Sequence, residues 1–156
     1  MGIRYIAISI DQQDFDHLSE GTCKHCGEEP TLRELDCGED ALRETLDLDK
    51  SWGYFQRVLA AEPQRPAAAL VSGRVTDMPW GWRSHKGLLS PDEVAAVADD
   101  LASVSDELVR ERLLAGPGVD DRTERDIAYV CHFLPEAQAF TRRVADANRA
   151  ILYYIG

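Results

Sequence analysis

The amino-acid sequence predicts an α+β fold, a helix-rich single domain over residues 1–156 with a small sheet that contains the N- and C-terminal strands. Three observations predict it. Residues 3–10 and 150–155 are short apolar runs rich in β-branched and aromatic side chains. Between them, apolar residues recur at helical spacing behind recognisable start signals. No internal repeat, low-complexity stretch or long linker divides the chain, and 156 residues suit one core.

The first strand, residues 3–10, places Ile6, Ile8 and Ile10 on one face and Ile3 and Tyr5 on the other, so burial on both faces is expected. Asp11 then caps a short helix with Phe15 and Leu18 turned inward. Residues 20–31 lose apolar periodicity and read as a loop. Thr31 opens a short helix through Leu32 and Leu35, interrupted at Cys37-Gly38 and continued by Ala41, Leu42 and Leu46. Next comes an acidic entry in which Asp49 is the expected N-cap of an amphipathic helix. Trp52, Phe55 and Leu59 share one face of that helix.

Pro63 and Pro66 mark a turn, and residues 67–71 fit helix or strand equally. Residues 72–88, with Gly73, Pro79, Gly81 and Gly87, read as a long irregular segment that holds Trp80 and Trp82. Ser90-Pro91-Asp92-Glu93 is a helix start: Ser90 caps, Pro91 takes the first helical position and Glu93 completes a capping box. Val94, Val97, Ala98 and Leu101 form its apolar face. Ser105 starts another helix, with Leu108, Val109 and Leu113 inward and Gly116 as its stop. A long helix follows from Thr123 to about Asn148, which Pro135 is expected to kink or split. Residues 150–155 close the chain as a strand.

The formal net charge is −11, from 28 acidic and 17 basic residues. Such a chain repels nucleic acid and anionic lipid unless a basic patch exists, and the basic residues are scattered. No apolar run reaches the roughly 20 residues of a membrane span, and no signal peptide is visible, so a cytoplasmic protein is expected. The excess charge serves solubility, or it forms an acidic surface that docks a basic protein partner.

Cys23-x-x-Cys26-Gly27 has the tight turn of a zinc knuckle, and Cys37-Gly38 repeats half of it. In a reducing compartment such a cluster reads as metal ligands or free thiols rather than disulfides. Cys23, Cys26 and Cys37 are thus candidate ligands for Zn, with His25, His17, Glu34, Asp36 or water as the fourth. The plainer reading is three free thiols. Asp47 and Asp49, one residue apart, have the oxygen chemistry for magnesium or calcium. Their plainer reading is a helix cap at Asp49 and a solvated or arginine-paired Asp47. Trp82, Arg83 and His85, with Trp80 and Trp52, suit a pocket for a planar or anionic ligand. Their plainer reading is that the indoles pin a long loop onto the core. Cys131 lies on the apolar stripe of the last helix and reads as a packing residue, and its neighbour His132 points elsewhere. Gly-rich phosphate loops, Gly-x-Ser-x-Gly elbows and His-Glu-x-x-His motifs are absent, so hydrolase and nucleotide chemistry have no positive support.

The segment Leu46-Asp47-Leu48-Asp49-Lys50-Ser51-Trp52 resembles the signature of the YfbM-like family, small bacterial proteins of unknown function. The Met1-Gly2 strand start, the Leu89–Val94 helix start and the ending Ala145–Ile155 extend the resemblance in the family's order. It implies a shared fold and no established activity. It also implies a histidine one turn after the tryptophan, where this chain has Gln56, and the cysteine-bearing loop at about 20–40 is an elaboration. Two function classes follow: a non-catalytic binding or interaction protein with an acidic surface, or an enzyme with a pocket formed by the 47–56 and 80–85 segments.

Overall fold

The computed structural model describes residues 3–20, 43–62, 64–72, 76–78, 81–83 and 85–156, with backbone alone for 76–78 and 81–83. Its centre is strand β1 (Tyr5–Ile10), which pairs on both sides. Strand β2 (Thr45–Asp49) lies on one side of it and the last strand, β6 (Ala150–Ile155), on the other. Between β2 and β6 in sequence come β3 (Thr76–Met78), β4 (Gly81–Arg83) and β5 (His85–Leu89). The main sheet runs β2-β1-β6-β5, every pair antiparallel, and β3–β4 form a separate hairpin. The expected meeting of the two terminal strands is found, with Tyr5 opposite Ile155 and Ile10 opposite Ala150.

Alternation along the strands divides the core in two. Tyr5, Ala7, Leu46, Leu48, Ile151, Tyr153 and Ile155 face the larger layer. That layer contains helix α2 (Trp52–Leu59), a 3-10 helix (Pro66–Val71), α3 (Pro91–Leu101), α4 (Asp106–Ala115) and α5 (Thr123–Asp146). Ile8, Ile10, Ala150 and Leu152 face the other way, where Leu18 of α1 (Gln12–Ser19) covers them. Burial on both faces of β1 is therefore found, except that Ile6 is 38% exposed. Tyr153 reaches across the sheet over its pairing partner Gly87, where an added Cβ would sit 2.0 Å from the ring. Only glycine leaves room for that crossing.

Three expectations change, and one left open is resolved. Residues 45–49 are a strand, not a helical continuation, because Leu46 and Leu48 alternate inward with Thr45 and Asp47 outward. Segment 72–88 contains β3, β4 and β5, so it is more regular than its glycines suggest. Residues 66–71 are a 3-10 helix, begun by Pro66. Helix α5 is unbroken at Pro135, whose ring faces solvent while Leu134 and Ala137 on either side are buried. Packing of those neighbours offsets the lost backbone hydrogen bond. The expected loop at about 20–31 and the short helix after Thr31 lie largely outside the described residues.

The Ser90 capping box is present. Ser90 Oγ accepts from the Glu93 N–H at 3.3 Å, and the Glu93 carboxylate accepts from the Ser90 N–H at 2.8 Å. Replacing Ser90 by alanine is expected to cost about 1 kcal/mol. A urea melt of Ser90→Ala with an unchanged midpoint would show that the cap contributes nothing.

Candidate functional site

The acidic signature sits where β2 ends and α2 begins. Leu46 and Leu48 anchor it in the core, which turns Asp47 and Asp49 outward. Asp49 has φ of 47°, a left-handed conformation that aspartate tolerates better than most residues. Its N–H donates to Asp47 Oδ1 at 2.7 Å, closing an Asx turn. Arg4 then bridges both carboxylates, at 3.0 Å to Asp47 and 3.1 Å to Asp49. The Tyr129 hydroxyl of α5 donates to the other oxygen of Asp49 at 2.5 Å. Trp52 is half-buried, and its indole N–H donates to the Ile3 carbonyl at 3.3 Å.

Asp49 is thus not the N-cap of α2. That position falls to Ser51, which makes no side-chain cap and instead donates its hydroxyl to the Leu48 carbonyl. The plain expectation for Asp47, pairing with an arginine, is found. The Tyr129 hydrogen bond, aided by the Arg4 charge, holds the Asp49 carboxyl below its usual range. Burial raises the Tyr129 hydroxyl, and Asp49 adds to the shift.

A second cluster lies at the end of the 3-10 helix, whose last carbonyls have no partner within the helix. The Tyr5 hydroxyl donates to the Leu70 carbonyl at 2.9 Å, and the Gln56 amide donates to that of Val71. The Ser72 and Tyr153 hydroxyls are hydrogen-bonded at 2.9 Å. Tyr5 and Tyr153 stack with centroids 5.5 Å apart, and the half-buried His85 ring lies 5.9 Å from that of Tyr153. Burial raises both tyrosine hydroxyls, that of Tyr5 well above its usual value. Gln56, where the family resemblance implies a histidine, here closes the 3-10 helix.

The two clusters share one end of the sheet: Asp47 and Asp49 are on the edge strand β2, and the tyrosines are on the inner strands with His85 on the far edge. Asp49 pairs with Tyr5, Tyr5 with Ile155, and Ile155 with His85. Three strand spacings separate Asp49 from His85, roughly 14 Å at the usual interval. The structure brings Asp47, Asp49 and Trp52 together and sets His85 apart from them. Trp82 and Arg83 belong to the β3–β4 hairpin by backbone, opposite Asp77 and Thr76. Cys23, His25, Cys26 and Cys37 lie outside the described residues, as does Trp80. Among the described residues, no three His, Cys, Asp or Glu side chains gather as metal ligands would. Cys131 is half-buried on α5, and His132 beside it is exposed. Arg4, Tyr129, Tyr5, Ser72 and Tyr153 had no local signal in the sequence, because their partners are remote along the chain.

A family model described as a domain of unknown function, DUF1877, matches residues 1–154. The chain belongs to this family. Among solved structures it is similar to YfbM from Escherichia coli, a protein of unknown function, at 20% identity and a TM-score of 0.63. The match covers 99% of each chain, and at that identity it establishes a shared fold. No curated protein matches. In this DUF1877 chain no helix among the described residues is long and apolar enough to cross a membrane.

Tyr129→Phe tests the clasp. Asp49 is expected to titrate at higher pH in the variant than in the wild type, followed through its carboxyl carbon by NMR. The sign follows from linkage. A depressed carboxyl favours the folded state above its unfolded value, about pH 4, and that contribution is lost as pH falls through the folded value. The variant should therefore begin acid unfolding at higher pH. Identical titration in both proteins would show that Tyr129 does not hold Asp49.

Proposed function

We propose that this protein is a non-catalytic interaction protein whose acidic surface docks a basic protein. The observation that carries the reading is the disposition of its charges. The formal charge is −11, and part of the positive charge is paired within the fold. Arg4, Arg65, Arg110, Arg112, Arg142 and Arg143 each sit in an ion pair with Asp or Glu. Each pair removes one charge of either sign, so the surplus carboxylates set the external field, which attracts cationic partners and speeds their encounter. Asp47 and Asp49 do not join that surface, since Arg4 and Tyr129 occupy them. The test is quantitative recovery of the protein from its native cells at low and high salt. A stoichiometric basic partner that dissociates as salt rises is expected, because exposed charges are screened within about 10 Å at 0.1 M. Recovery without any such partner at low salt would overturn the reading.

We further propose that Cys23, Cys26 and Cys37 hold one zinc ion, with His25 or a nearby carboxylate as fourth ligand. The support is their spacing in the sequence and the scarcity of apolar residues around them, since metal ligation can order a segment that buries no core. About one equivalent of zinc is expected in untagged protein purified without chelator, and Cys26→Ser should abolish it. Less than a tenth of an equivalent of any transition metal would end the proposal.

A further inference from the structure

We draw no further inference here: the strongest candidate, the side-chain cluster of Tyr5, Tyr153, Ser72 and His85 where the 3-10 helix meets the end of the sheet, belongs to the site already described, and its hydroxyls are engaged with one another and with the Leu70 carbonyl in closing that helix.

Discussion

Strand β1 is the constraint on which the rest depends. It is an inner strand, so its backbone groups on both edges need partners from elsewhere in the chain. One edge is met by β2, roughly forty residues on, and the other by β6 at the far end of the domain. Neither pairing is local. The helices between are therefore more than filler, because their packing brings β6 back against β1. Asn148, with φ of 52°, ends α5 and starts this return, and the Arg149 N–H closes the helix on the Val144 carbonyl at 3.0 Å. A topology dominated by such remote pairings folds more slowly than a helical bundle of equal length.

The end of the sheet holding Asp49, Tyr5, Ile155 and His85 is where these remote pieces are locked together. Arg4 ties the start of β1 to the end of β2, Tyr129 ties the end of β2 to α5, and Trp52 ties α2 back to Ile3. On the inner strands, Tyr5 of β1 and Tyr153 of β6 close the 3-10 helix through Leu70 and Ser72. Each bond alone is worth on the order of 1 kcal/mol. Their joint effect is to fix the register of strands whose partners lie far apart in sequence, since a slip of one residue would turn Leu46, Leu48 and Tyr153 out of the core.

Local physics made much of this legible from the sequence. The alternating isoleucines of β1 and the Ser90 box announce themselves within a few residues, and the structure bears them out. The Leu46–Asp49 strand is hard to see because four alternating residues are a short strand template beside a stronger helical one that begins at Trp52. Residue type alone makes Asp49 a cap, whereas its left-handed backbone turns it toward Tyr129, 80 positions away. Nothing near Tyr129 in sequence signals that contact. The same holds for the Tyr5–Tyr153 stack, which depends on β-sheet register, and for Gly87, whose missing side chain only matters because Tyr153 lies above it.

The signature that carries the family resemblance is therefore a tertiary joint. Its leucines are core, its serine and tryptophan bind backbone carbonyls, and its carboxylates face Arg4 and Tyr129. A motif with its polar groups so engaged accounts for its own residues without a ligand. That shifts the search for function to charges the fold does not use.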